Sequence, residues 1–257
     1  MTSIRKTLDD EGKTLNKIAE ITIYFWILKI LATTLGEMFG DFIAQTLKLG
    51  YIFGLTITFA LLLVVLFCQI RAQRFYPALF WLAIVATTTA GTEISDLMDR
   101  TLGLGYVLGS LILVGGLVVT LVVWQRREGN LSVDPIITKN AEVMFWIAVV
   151  FSNSLGTAFG DALVDVVGLS YVQGALVTAT VIAAVLLLHY LTKVNAVALF
   201  WIAFVFTRPF GATFGDLMTK PLDKGGLDLG TLPASGVAFV LMAIFLFISM
   251  RATKSRQ

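Results

Sequence analysis

The chain has 257 residues, 57% of them hydrophobic and 14% charged, with a mean hydropathy of +0.86. A soluble domain of this size carries about 25% charged residues, so the composition excludes a soluble globular protein. It implies a polytopic integral membrane protein whose apolar runs cross about 30 Å of hydrocarbon.

The net charge of +2 implies no nucleic-acid partner, because the basic residues sit at the ends of apolar runs and not in one patch; the implied partner is the lipid bilayer. Residues 1–20 are a polar lead-in (Arg5, Lys6, Asp9, Asp10, Glu11, Lys13, Lys17) with no short apolar core or small-residue cleavage site, and are expected to be cytoplasmic. Eight apolar segments follow, near 21–47, 51–70, 78–101, 106–124, 142–167, 171–190, 197–219 and 232–250.

The odd segments share a pattern: FWILKILATTLGEMFGD (Phe25–Asp41), FWLAIVATTTAGTEISD (Phe80–Asp96), FWIAVVFSNSLGTAFGD (Phe145–Asp161) and FWIAFVFTRPFGATFGD (Phe200–Asp216). Each has Gly ten residues after its Trp and Asp fifteen after it. In three repeats Tyr51, Tyr106 or Tyr171 follows the Asp by ten residues, and Gly54, Gly109 or Gly174 comes three later. The Trp spacings are 55, 65 and 55, as if a two-hairpin unit had been doubled. The expected fold is therefore all-α, with eight transmembrane helices arranged as four parallel helical-hairpin repeats in pseudo-fourfold order. Repeat one is 21–76, repeat two 77–128, a cytoplasmic linker 129–141, repeat three 142–193, repeat four 194–250 and a cytoplasmic tail 251–257.

Thirteen Lys and Arg lie in the lead-in, the tail and the loops on their side; four (Lys48, Arg100, Lys220, Lys224) lie in the opposite loops. By the positive-inside rule both termini are cytoplasmic and the Gly-Asp ends point outward. Repeat four departs from the others. Its link after Asp216 is five residues longer, Thr231 stands at the Tyr position, and Pro209 is expected to kink the helix.

At 100° per residue, positions 3, 4, 7, 11, 14 and 15 after the Trp fall within about 60° of it. That stripe carries Lys29, Thr33, Glu37, Gly40 and Asp41; Thr88, Thr92, Ser95 and Asp96; Asn153, Thr157, Gly160 and Asp161; and Arg208, Gly215 and Asp216. Such a stripe must face protein or water, not lipid. Asp41, Asp96, Asp161 and Asp216, with Glu37 and Glu93, are six intramembrane acids against two cations, Lys29 and Arg208, which leaves a deficit of four. Either some acids are protonated or a bound cation supplies charge.

The candidate ion- or substrate-binding set is thus Asp41, Asp96, Asp161, Asp216, Glu37, Glu93, Asn153, Thr33 and Thr88, with Lys29 and Arg208 tuning the charge. The four Asp are the candidate metal ligands. An oxygen-rich set suits Mg²⁺, Mn²⁺, Ca²⁺ or a proton. The glycines read as small-residue packing seams, and the Trp set reads as interfacial anchors. His189 reads as an interfacial residue and Cys68 as a small packing residue. One His and one Cys cannot build a zinc or copper cluster within one chain. No nucleotide, hydrolase or metalloprotease motif is present, so no enzyme is expected and no cofactor beyond a bound divalent cation.

Through Gly40-Asp41, Gly160-Asp161 and Gly215-Asp216, with Ser95-Asp96 in repeat two, the chain resembles a bacterial family of integral membrane proteins. The family is built from a repeat of unknown function, and its members are usually labelled uncharacterised membrane-anchored proteins. The resemblance covers nearly the whole chain and implies a multi-pass protein of the bacterial inner membrane with the same fold. It implies no activity. The residues themselves point to a transporter for a hard divalent cation or small cationic solute, with proton coupling, through a carboxylate-lined polar cavity. The alternative is a membrane scaffold or sensor in which the acids are structural.

Overall fold

A computed structural model describes residues 17–133 and 135–254, the side chains of 253 and 254 excepted. Most of the expected lead-in, and the end of the expected tail, lie outside the described residues. Eight α-helices account for most of the rest: α1 (Ile23–Asp41), α2 (Gly50–Arg71), α3 (Pro77–Asp96), α4 (Gly105–Glu128), α5 (Lys139–Asp161), α6 (Tyr171–Leu191), α7 (Ala196–Thr219) and α8 (Thr231–Lys254). Among the described residues there is no strand. All but α1 are long and apolar enough to cross a membrane.

Local chemistry sets the helix ends. Pro77 opens α3, where its missing N–H costs nothing. Thr138 caps α5, Ser170 and Gln173 form a reciprocal capping box on α6, and the Asn195 side chain caps α7. α4 ends at Gly129, whose left-handed φ of 77° a side chain would resist. In the first three repeats the helix does not stop at the Asp. It continues as a π-helical turn over Phe42–Thr46, Leu97–Thr101 and Ala162–Val166. Repeat four has no such turn; α7 ends at Thr219, ahead of Pro221.

The marked helices close a ring: α1 packs on α3, α3 on α5, α5 on α7, and α7 back on α1. Glycine makes the close approach possible. A Cβ on Gly36 would lie 2.5 Å from the Thr88 methyl, and one on Gly91 would lie 3.0 Å from Cβ of Asn153. A Cβ on Gly156 would run into Arg208, and one on Gly211 into Thr33. Each of these glycines is ten residues past its Trp, and each meets the residue seven past the next Trp. The seam expected from the spacing is therefore present on all four interfaces.

The plain helices correct one expectation. A hairpin in which the two helices of one repeat pack together is not what forms. α2 packs on α3, α4 on α5, α6 on α7, and α8 on α1, so each plain helix covers the marked helix of the following repeat. The link explains this. The π-helical turn carries the chain past the Asp, and backbone at positive φ then reverses it beside the neighbour, at Lys48 (55°) and Gly50 (75°) in repeat one. The outer faces of these helices carry exposed Leu, Ile, Val and Phe, as a lipid-facing surface requires.

Two further expectations change, those for the Trp set and for Cys68. Trp81, Trp146 and Trp201 are buried in the bundle and do not serve as surface anchors. They belong to an aromatic ring in which the Phe of each repeat meets the Trp of the next: Phe25–Trp81 at 5.6 Å, Phe80–Trp146 at 5.7 Å, Phe145–Trp201 at 6.3 Å and Phe200–Trp26 at 5.7 Å. Adjacent Phe and Trp sit 100° apart on a helix, so when one faces the axis the other faces a neighbour. Cys68 is exposed on α2, on the face away from buried Leu62, Val65 and Gln69. Pro209 lies within an unbroken α7, with its ring against Gly156.

Candidate functional site

The stripe faces the ring axis, and its polar side chains stack in three layers. Nearest the aromatic ring, Lys29 donates to Oδ1 of Asn153 at 3.1 Å and lies over the Phe204 ring at 4.2 Å. The Asn153 amide donates in turn to Thr87 at 3.1 Å and Thr88 at 3.3 Å. Thr33 donates to the Thr207 carbonyl at 3.2 Å, across the α1–α7 seam. No carboxylate pairs with Lys29 among the described residues.

Arg208 forms the middle layer. Its Nη2 is ion-paired with Glu37 and also lies 2.6 Å from Oγ1 of both Thr92 and Thr157. It thereby ties α7 to the three other marked helices. Its Nε and Nη1 have no partner among the described residues. Lys29, Thr33, Thr88, Asn153, Thr157 and Arg208 all have 0% exposure, so this part of the axis is packed solid and the expected polar cavity is not open here.

The outer layer brings the four Asp to one end, all buried, and divides them into two couples. Arg100 joins Asp96, 2.9 Å away, to Asp161, 3.3 Å away. Lys220 joins Asp41, 2.6 Å away, to Asp216, 3.2 Å away. Burial works against a charge on Lys220, but Asp216 and Asp41 outweigh it and hold its pKa above the ordinary lysine value. The second cation is therefore permanent at physiological pH.

Arg100 and Lys220 both stand four residues after an Asp, in repeats two and four. The same position holds Gln45, which bonds Asp41, and Asp165, which accepts from Tyr106. These two cations had been counted with the loops. The signal that identifies them is the i,i+4 spacing to the Asp, on the continuing turn for Arg100 and at the C-cap of α7 for Lys220. Against the six acids named from the sequence they reduce the deficit from four to two, while the π-helical turns add two further acids, Asp99 and Asp165, the latter 4.0 Å from Arg100.

The predicted residues are thus brought together unequally. Glu37, Asp41 and Asp216 offer ligand oxygens all within 4.8 Å of one another, and all three are buried. That set, and not the four Asp alone, is the geometry able to hold a metal ion, and the Lys220 ammonium lies against two of its members. Asp96 and Asp161 form a separate couple. Glu93 lies off the stripe, between α3 and α2, where its Oε2 would be 2.7 Å from a Cβ on Gly54. It is fully buried, and neither of its oxygens has a hydrogen-bond partner among the described residues.

Four stretches, residues 24–75, 79–130, 144–195 and 199–255, match the family described as Repeat of Unknown Function (DUF347), and the chain belongs to that family. No curated protein and no solved structure matches the chain.

Proposed function

We propose that this protein is a membrane transporter, with no enzymatic activity, for a hard divalent cation or a small cationic solute, coupled to protons. The single observation behind this reading is the Glu37–Asp41–Asp216 set, three buried carboxylates converging at one end of a polar stripe. Three anionic oxygens at this spacing match what a hard cation requires. A tethered ammonium already beside them is a cation that an incoming one displaces. Asp96 and Asp161, held by Arg100, offer a second stage, and Thr33, Thr88 and Asn153 continue the polar column inward. The packed axis corresponds to an occluded state.

In this reading the chain is four parallel repeats about an axis along the membrane normal. Pseudo-fourfold order at the aromatic ring gives way to twofold order where cations occur in alternate repeats. Such an arrangement differs from the inverted repeats of many secondary transporters. The proposal places the chain in the bacterial inner membrane with both termini cytoplasmic, as the bias in Lys and Arg suggests.

The test is flux of Mn²⁺ and of methylammonium in liposomes, with and without a pH gradient. Combined Asp→Asn changes at 41, 96, 161 and 216 are expected to abolish it. Wild-type flux in that variant would show that the acids are not the path.

One observation favours a second reading. Arg100, Lys220 and Arg208 already partner most of the axial acids, as a membrane scaffold or sensor held together by its ion pairs would need. That reading expects the same variant to lose thermal stability, with no cation-dependent shift in the melting of either protein.

A further inference from the structure

The Trp end holds a polar group that the outer cluster does not use. Lys17–Thr22 cross this end ahead of α1 without forming a helix, and Ile18 and Ala19 are buried in the core. Lys17 is ion-paired with Glu142 of α5 and donates to the Ile70 carbonyl at 3.0 Å. The Gln69 amide of α2 donates back to the Lys17 carbonyl at 3.2 Å. Glu142 and Gln69 are each only 1% exposed. The Gln69 and Trp146 side chains both lie against the Glu142 carboxylate, while Oε1 of Gln69 has no partner among the described residues.

Position decides the meaning of Glu142. It lies four residues before Trp146, a rotation of about 40° from the Trp at 100° per residue. It is therefore on the stripe that carries Asn153, Thr157 and Asp161. α5 has a carboxylate at both ends of its polar face, and each end is occupied by a cation from elsewhere in the chain. The Glu142 carboxylate and the Ile70 carbonyl both hold the Lys17 ammonium, and oxygen donors of this kind suit a hard cation or an ammonium group.

We propose that Glu142 and the Ile70 carbonyl form an inner docking site for a small cation, occupied by Lys17 and covered by the Lys17–Thr22 strap, which the Gln69 amide helps to hold. Among the described residues, the Lys17–Glu142 ion pair, the hydrogen bonds to Ile70 and from Gln69, and the buried Ile18 and Ala19 side chains help to hold the strap. It also precedes the first matched family repeat, which begins at residue 24. A cation that competes for Glu142 releases Lys17 and opens this end. The docking role rests on the transport reading above; the latch does not.

The test uses the full chain in nanodiscs, with Cys68→Ser removing the exposed native thiol and Ala19→Cys as reporter for a polar maleimide. Lys17→Gln and Glu142→Gln are each expected to speed labelling about tenfold, since each breaks a buried ion pair. The charge swap Lys17→Glu with Glu142→Lys is expected to restore protection, which a misfolded protein would not do. Mn²⁺ or methylammonium is expected to speed labelling several-fold in the parent and not in Glu142→Gln. Equal labelling in the parent and both single variants overturns the latch. Acceleration by the substitutions, with none by either cation, overturns the docking site. Neither result depends on measuring flux, so failure of the transport reading stays separate.

Discussion

The two ends of the ring of marked helices come from the same repeated segment and are closed in opposite ways. At the Trp end the marked helices meet one another through nearly uniform apolar contacts, four Phe–Trp pairs between 5.6 and 6.3 Å, with the Lys17–Glu142 pair added at one of them. At the Asp end the closure is ionic and unequal, because only repeats two and four place a cation four residues past the acid. Uniform residues make the four contacts alike, and a change at one position per repeat divides the four Asp into two couples. Specialisation is concentrated where charge is, since a charge that lacks a partner inside a membrane costs far more than an imperfect apolar contact.

The sharpest way to break the comparison is at Arg208, between the two ends. Arg208→Met leaves Glu37 buried without its cation and is expected to cost about 3–5 kcal/mol. Thermal unfolding in detergent measures this, and adding Glu37→Gln is expected to recover much of the loss. If Arg208→Met melts like the parent, the middle layer is not what joins the ends.

Next come the seams shared by both ends. Gly156→Ala and Gly211→Ala force a Cβ into Arg208 and Thr33 and are expected to cost about 1–3 kcal/mol each. The same substitution at Gly115, which meets nothing within 4 Å, is the control and is expected to be neutral or slightly stabilising. Equal melting of all three would remove the packing explanation.

At the Trp end, Phe80→Leu keeps an apolar side chain but loses the contact with Trp146, an effect of about 0.5–1.5 kcal/mol. A comparable loss from Phe145→Leu would support uniformity.

The smallest effect is expected at the Asp end. Arg100→Gln and Lys220→Gln remove partly exposed cations, each for about 1 kcal/mol or less. Their value lies in selectivity. Lys220→Gln is expected to strengthen Mn²⁺ binding at Glu37, Asp41 and Asp216, read as a larger metal-dependent melting shift, while Arg100→Gln leaves that shift unchanged. The Lys220 bridge has a definite pH sign as well. With its folded pKa raised, the stability it contributes is full below the ordinary lysine value and is lost only as pH rises through the higher folded one. Melting across the neutral range is therefore expected to show no step that Lys220→Gln removes.

Much of the fold was legible before any coordinates. The apolar runs ended within a few residues of the observed helices because Gly, Pro and charged residues punctuate them. The stripe was legible because 100° periodicity survives when every other position is Leu, Ile, Val, Phe or Ala. Other features depended on three-dimensional facts that spacing does not carry. Arg100 looked like a loop residue because nothing marks a π-helical turn that carries the chain past the Asp, and Lys220 because it is one, standing just past the end of α7. The Trp residues looked like anchors because the belt rule assumes a lipid-facing helix, and these helices are central. Glu93 looked equivalent to Glu37, yet one residue of helix places it 100° away, against Gly54. Lys17 gave no signal, since its partner Glu142 lies more than a hundred residues away.

The placement of each plain helix over the next repeat has a consequence for how the protein is made. α1 emerges first, bearing Lys29, Glu37 and Asp41, but its flanking neighbours include α7 and α8, the last two helices to be synthesised. Until those arrive, its polar face and its outer groove both lack their final cover. A chain stopped after α6 would therefore leave α1 without its contacts to α7 and α8, and the ring of marked helices open.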